Sequence, residues 1–405
     1  MSGIGLSSSR VRKARQAQNK ARPWALPLTA LAVAFVPGIH GDRVDALPPS
    51  VVRTVAQIDL QPQTGATVLA PSSAAEATAR RVLDARLEAL GQSFNGDVGI
   101  AVQDLQTGFT SHFDGNAHFP QQSVSKFWVA LTALDKADRG EISINSPVTV
   151  RKSDLTLFNQ PIAQLIGANG YTTTLTELMQ RAMQQSDNTC NDFVLWRAGG
   201  PDSVKDFLYR KGITGVRFGP GERVMQSRIA GMEWKPWMVG TGFYAARNAV
   251  PASVRRAAFQ YYVKDPVDGA TPLGVADALA RLKKGELLSP TSTDKLLRIM
   301  ANTRTGRQRL KGGLAPGWTL AHKTGTGQVL GSTQSGYNDI GIITGPDGRS
   351  YSLAVFIRQT AAPIPTRMAL MQNVTRAVID YSRNAQSYHM AQGYSPRGIS
   401  GLGSN

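Results

Sequence analysis

The sequence predicts an α+β domain, a mixed α/β sandwich in which an antiparallel sheet of about five strands is flanked by helices and interrupted by an inserted all-helical lobe. Three observations predict it: period-2 alternation early in the chain, the same alternation late in the chain, and a long run of helical periodicity between them.

Taken in order, the first ordered element is a helix. Ser73 to Glu76 has the S-x-x-E form of a capping box, and the amphipathic run ATARRVLDARLEAL follows, with Gly91 as its expected end. DVGIAVQDLQTGFTSHF then alternates around a glycine-containing turn, as a hairpin does. The middle of the chain changes period. KFWVALTALDKADRG, TLTELMQRAMQQ, DSVKDFLYRKG and TPLGVADALARLKKG all read as helices. Thr271 and Ser289 are expected N-caps with Pro272 and Pro290 just inside, and Gly285 ends the helix begun at Thr271. Alternation returns in NDIGIITGPDGRSYSLAVFIR, where GPDG marks a turn, and PTRMALMQNVTRAVIDYSR forms a last helix. A sheet assembled from both ends, with helices between, leaves a cleft between lobe and sheet, where active sites are commonly found.

The ends of the chain read differently. Arg10, Arg12, Lys13, Arg15, Lys20 and Arg22 precede the apolar run WALPLTALAVAFV, so residues 1–46 are expected to be a signal peptide, cleaved after Ala46, or else an uncleaved N-terminal anchor. A periplasmic location follows from the first alternative and inner-membrane anchoring from the second. Membrane contact is then transient and confined to that segment. Residues 47–72 are rich in Pro, Ser, Gln and Ala and read as a linker, 73–385 as the catalytic domain, and 386–405 as a disordered tail. The helical lobe is expected at about 122–297.

Composition excludes several functions. At 41% hydrophobic and 18% charged residues, the 405-residue chain can bury a full core. Its lone cysteine, Cys190, forbids an intrachain disulfide and a thiolate cluster, and its five scattered histidines lack ligand spacing, so no metal or other cofactor is expected. The formal charge of +17 is in part the N-terminal basic cluster, so it gives no nucleic-acid footprint. A monomer is expected.

Three short motifs carry the chemistry. QQSVSKFWVA places Ser123 and Lys126 three apart, on one face of a helix start. QQSDNTCND supplies Ser186, Asp187 and Asn188, and LAHKTGTGQ supplies Lys323, Thr324, Gly325 and Thr326. S-x-x-K, S-D-N and K-T-G in this order belong to serine acyl-transfer enzymes that recognise penicillins. A serine hydroxyl is a poor nucleophile until a base takes its proton, and a lysine serves as that base when burial or other cations depress its pKa. Lys126 is placed for this, Lys323 is a second cation, and Ser186 can relay a proton between them. Backbone N–H groups at Ser123 and Thr326 would form the oxyanion hole. No G-x-S-x-G elbow or Ser/His/Asp order competes.

Beyond the motifs the chain resembles class A β-lactamases from about Ala74 to Arg383. FPQQSVSKFWVALTALDKADRGE, QQSDNTCNDFVLWRAGGPDSVKDFLYRKG, TPLGVADALARLKKGELL and LAPGWTLAHKTGTG follow that family's order. The resemblance implies that Glu222, in GVRFGPGERVMQS, is the base for the hydrolytic water; that Phe158 is the aromatic at the cleft mouth; that Arg309 anchors the substrate carboxylate beside Lys323; and that Asn188, Gln226, Thr324, Gly325 and Thr326 bind substrate. Two departures stand out. Met225 and Gln226 replace a leucine and an asparagine, so the water-holding amide sits on a longer arm. Pro220 replaces the arginine expected to pair with Asp268, leaving Arg217 as a substitute partner. Against the family it resembles, the Glu222 segment, about 217–268, is also roughly 30 residues longer. Its Trp234, Trp237 and Phe243 point to packing on the domain or a lid over the cleft, ahead of a partner-binding surface.

The implied function is hydrolysis of small-molecule β-lactams through an acyl-enzyme on Ser123. The alternatives are a D,D-peptidase or transpeptidase acting on peptidoglycan, and an exported sensor that acylates without turnover. The fate of the acyl group separates them.

Overall fold

A computed structural model describes residues 74–391, all within one compact unit, Thr64–Asn405. The expected signal segment, the linker and the Ser73 half of the capping box lie outside the described residues. Among those residues, no helix is long and apolar enough to cross a membrane.

The five-stranded antiparallel sheet consists of β1 (Val98–Asp104), β2 (Thr110–Phe113), β3 (Thr319–Thr326), β4 (Tyr337–Thr344) and β5 (Ser350–Ile357), in spatial order β2-β1-β5-β4-β3. β1 from the early part of the chain pairs along its length with β5 from the late part, Val98 opposite Ile357 and Asp104 opposite Tyr351. Strand alternation fills both faces. Ile100, Val102, Leu353, Val355 and Ile357 pack with the terminal helices, while Ala101, Ala354 and Phe356 join the core of the helical lobe.

The helices are α1 (Ala74–Ser93), α2 (Lys126–Asp138), α3 (Leu175–Gln184), α4 (Asn188–Arg197), α5 (Gly200–Arg210), α6 (Glu222–Ile229), α7 (Gly242–Ala249), α8 (Ala252–Lys264), α9 (Pro272–Lys283), α10 (Pro290–Ala301) and α11 (Ile364–Ala391). Thr271 and Ser289 are the expected N-caps, accepting from Gly274 N and Ser292 N. Two ends differ from the sequence reading. α1 continues past Gly91 to Ser93, because Gly91 faces Phe113 and leaves no room there for a Cβ; this glycine serves close packing and is not a helix stop. α11 continues to Ala391, so residues 386–391 are helical rather than part of a disordered tail.

The 217–268 segment is not an open loop. It contains α6, α7 and α8, in two small apolar clusters. Met225 and Ile229 of α6 meet Phe259, Tyr262 and Val263 of α8, while Phe243 of α7 is buried with Leu157, Ala230 and Met238. Phe243 therefore packs as expected, and Trp234 is partly buried under the Arg223 guanidinium. Trp237 does not pack: it is 62% exposed.

Candidate active site

Ser123 lies in a short 3₁₀ turn, Gln122–Ser125, that runs directly into α2. Gln122, immediately before it, has φ +53°, a left-handed conformation that costs energy in a non-glycine residue. The neighbourhood holds it there. The Gln122 backbone N–H donates to Asp268 Oδ2 at 2.8 Å, its side-chain amide donates to the Tyr262 hydroxyl at 2.6 Å, and the Tyr262 hydroxyl donates to Asp268 Oδ2 at 3.3 Å. Gln121 joins the turn to the segment ends, donating to Arg217 O and Asp268 O and accepting from Trp128 Nε1 on α2. Arg217 is thus not the partner of Asp268: its side chain pairs with Asp265 at 2.5 Å, and a tyrosine hydroxyl and a backbone amide take the expected arginine's place.

Lys126 is 1% exposed, and a buried lysine needs partners for its polar head. Its Nζ donates to Ser123 Oγ at 2.7 Å and also to Glu222 Oε1. The two bonds make one continuous path from the nucleophile's hydroxyl to the carboxylate. Glu222 begins α6 and is 2% exposed. Its backbone N–H donates to Asp192 Oδ1 at 3.0 Å, that of Arg223 donates to Asp192 Oδ2 at 3.4 Å, and Gln226 Nε2 donates to Glu222 Oε2 at 3.2 Å. The longer amide arm therefore reaches the carboxylate directly, and Gln328 fixes it from the other side by donating to Gln226 Oε1 at 3.0 Å. Burial, reinforced by the nearby Glu222 charge, raises the Asp192 carboxyl to about 6.

Ser186 sits between α3 and α4 with φ +59°, and Lys323 Nζ donates to its Oγ at 3.1 Å. Lys323 is fully buried, and burial together with the charges of Lys126 and Arg309 holds its ammonium well below the ordinary lysine range. Its other bond goes to Thr324 O at 2.7 Å. Lys323, expected as a second cation beside the substrate carboxylate, is thus fully buried, with the Ser186 hydroxyl between its ammonium and the cleft.

Asn188 donates to Leu157 O at 2.8 Å, fixing the segment that presents Phe158, whose ring meets Phe243 edge-on at 4.8 Å. A cleft of about 600 Å³ is lined by Ser123, Phe158, Ser186, Asn188, Gln226, Thr324, Thr326 and Arg309, among others. Gly325, expected to bind substrate, does not line it. A Cβ there would lie 2.4 Å from Gln121 O, so its lack of a side chain serves the close approach of β3 to the Ser123 turn. Arg309 is more engaged than an open anchor: it donates to Gly325 O at 2.9 Å, Asn338 O at 2.6 Å and Thr326 Oγ1 at 2.6 Å, and lies 3.8 Å from the Tyr337 ring centroid. Among the described residues no group of three His, Cys, Asp or Glu is placed to hold a metal.

The model of the β-lactamase enzyme family matches residues 82–382. The chain belongs to the β-lactamase enzyme family. The β-lactamase VEB-1 of Pseudomonas aeruginosa is 26% identical over 303 residues, 75% of this chain and 91% of that protein. Toho-1 of Escherichia coli is 30% identical over 258 residues, 64% of this chain and 75% of that one. Among solved structures, a β-lactamase from Chitinophaga pinensis aligns with TM-score 0.62 at 27% identity, covering 75% of this chain and 99% of its own. An ancestral class A β-lactamase aligns with TM-score 0.57 at 28% identity, covering 74% and 99%.

Within this β-lactamase fold, sequence reasoning missed five supports of the site: Gln121, Gln122, Asp192, Tyr262 and Gln328. Asp192 had a readable signal, since it follows Asn188 by four residues and shares its face of α4. The others act through contacts between distant segments, which spacing does not encode. Tyr244 and Arg247 of α7 also line the cleft, so the extra segment forms a wall of the site as well as packing on the domain.

Proposed function

We propose that this chain hydrolyses β-lactams as a class A serine β-lactamase, with the roles carried by the residues just described. The observation that carries this reading is Lys126 Nζ bonded at once to Ser123 Oγ and to Glu222. As Lys126 yields a proton to Glu222, its amine takes the Ser123 proton and Oγ attacks the lactam carbonyl. The backbone N–H groups of Ser123 and Thr326 receive the developing oxyanion. The C–N bond breaks, and the departing nitrogen takes the proton that Lys126 received from Ser123, passed through Ser186 Oγ, which Lys323 holds in place; Lys126 is left neutral. Glu222, its proton returned to Lys126, then accepts one from water attacking the ester; that proton passes back through Lys126 to Ser123 Oγ as the ester C–O bond breaks, and the ring-opened acid leaves Ser123 free.

A D,D-peptidase or an acylating sensor needs the first half of this scheme only. Glu222, desolvated on the Ser123 path and braced by Asp192 and Gln226, favours completed turnover. Export to the periplasm, which would bring the enzyme to its substrate, is supported by the basic cluster and apolar run of the N-terminus. The same reading has the chain act as a monomer.

The test is turnover of a chromogenic cephalosporin by the wild type and by Glu222→Ala. The variant is expected to lose about 10²–10⁴-fold in turnover, the range for a general base, and to accumulate a covalent adduct visible by intact mass. Unchanged turnover in the variant removes Glu222 from the mechanism, and a single stoichiometric burst by the wild type assigns the chain to the sensor or peptidase class.

A further inference from the structure

The cleft has a charge pattern that the hydrolytic machinery does not use. Among the described residues its lining contains Arg247 and Arg309 and no carboxylate. Arg309 is committed to Gly325, Asn338 and Thr326 on the β3 side. Arg247 is committed to nothing comparable: its guanidinium lies 5.5 Å from the Tyr244 ring centroid, and its side chain has no hydrogen bond or ion pair among the described residues.

Arg247 also borders a second, adjoining cavity, together with Arg255, Phe259, Gln328 and Leu330, and among the described residues no acid lines that cavity either. Nε of Arg247 and Nε of Arg255 are both sealed from solvent without an acceptor among the described residues. α7 and α8, which carry both arginines, contain no aspartate or glutamate. Cations left unpaired beside a cleft repel one another, and an anion entering between them relieves that repulsion.

The chemistry of a β-lactam says which part of the substrate meets them. Its ring carboxylate and its acylamino substituent lie on opposite sides of the reactive carbonyl. With the carbonyl at Ser123 and the carboxylate on the Arg309, Thr324 and Thr326 wall, the acyl substituent is left the rest of the lining, which includes Gln226, Tyr244 and Arg247.

We infer that Arg247, supported by Arg255, forms an anion subsite selecting β-lactams that carry a second acidic group on the acyl side chain. The inference rests on the acyl-enzyme reading above, and the test separates the two. kcat/KM is measured for benzylpenicillin and its α-carboxy derivative, and for an oxyimino cephalosporin with and without a carboxyl group on the oxime. The ratio of acidic to neutral partner is expected to fall about ten-fold in Arg247→Gln, the size of one charge-assisted contact, and further in Arg247→Gln/Arg255→Gln. Arg247→Lys is expected to retain part of the preference, and Arg298→Gln, exposed on α10 and outside the lining of both cavities, to leave the ratio unchanged.

Should Arg247→Gln not fold, the wild-type ratio is followed from 50 mM to 0.5 M salt, where screening is expected to lower it. Equal ratios in wild type and Arg247→Gln, or a ratio insensitive to salt where that variant does not fold, overturn the subsite. If the wild type acylates without turnover, hydrolysis fails as a reading, while the same ratio taken from acylation rates by intact mass still decides for or against Arg247.

Discussion

Replacing Asp268 by asparagine tests how the Ser123 turn is held. Asp268 is fully buried; its Oδ2 accepts from Gln122 N and Tyr262 Oη, while its Oδ1 has no hydrogen-bond partner among the described residues. Burial raises this carboxyl from 3.8 to about 7. Since the folded-state value is the higher one, the folded protein binds the proton more tightly than the unfolded chain. The resulting stability is fully present below the unfolded value and is lost as pH rises through 7. A shift of about three units at about 1.4 kcal/mol per unit sets an upper bound near 4 kcal/mol. The amide keeps the shape of the acid and removes the titration. Thermal unfolding of wild type and Asp268→Asn between pH 4.5 and 8.5 is the assay. The wild type is expected to lose about 3 kcal/mol relative to the variant across that range, or about 6 °C in Tm at roughly 2 °C per kcal/mol for a domain this large. Parallel Tm curves for the two proteins would refute the assignment of a neutral buried acid beneath the nucleophile.

Two further substitutions probe the supports of the cleft. Arg309→Ala leaves the carbonyls of Gly325 and Asn338 without their donor, and it is expected to raise KM and cost about 1–3 kcal/mol per carbonyl left unpaired in denaturant unfolding. Arg309→Lys is expected to resemble it, because a single ammonium cannot reproduce a planar fork serving three acceptors; full recovery by lysine would contradict this geometry. Phe243→Ala empties the small core under α7 and is expected to cost about 3–5 kcal/mol by the same measurement. Because α7 carries Tyr244 and Arg247, KM should rise in that variant with a smaller change in kcat; an unchanged KM would separate the helix from substrate binding.

Much of the fold was legible because its signals are local. Strand alternation in GIAVQD and SLAVFI, the Thr271 and Ser289 caps and the helical period of KFWVALTALDKAD each depend on neighbours a few residues away. The reactive groups were legible for a related reason: S-x-x-K fixes two side chains on one turn, and Ser123 Oγ and Lys126 Nζ do meet at 2.7 Å. α7 and α8 were not, since their short apolar stripes match small satellite clusters instead of the main core, and Trp237 shows that an aromatic within such a segment need not be buried.

The sequence by itself determined which atoms are available for catalysis, their order along the chain, and the alternation that makes β1 and β5 fit one sheet. Only the tertiary structure decided which of them touch. Glu222 meets Lys126 across 96 positions, Asp268 supports Gln122 across 146, and Lys323 is sealed behind Ser186 instead of open to the cleft. The physical reason is that burial and charge pairing are properties of a site's whole surroundings. No local pattern specifies that Asp268 finds a tyrosine in place of an arginine, or that Arg247 comes to line the cleft without a counter-ion among the described residues.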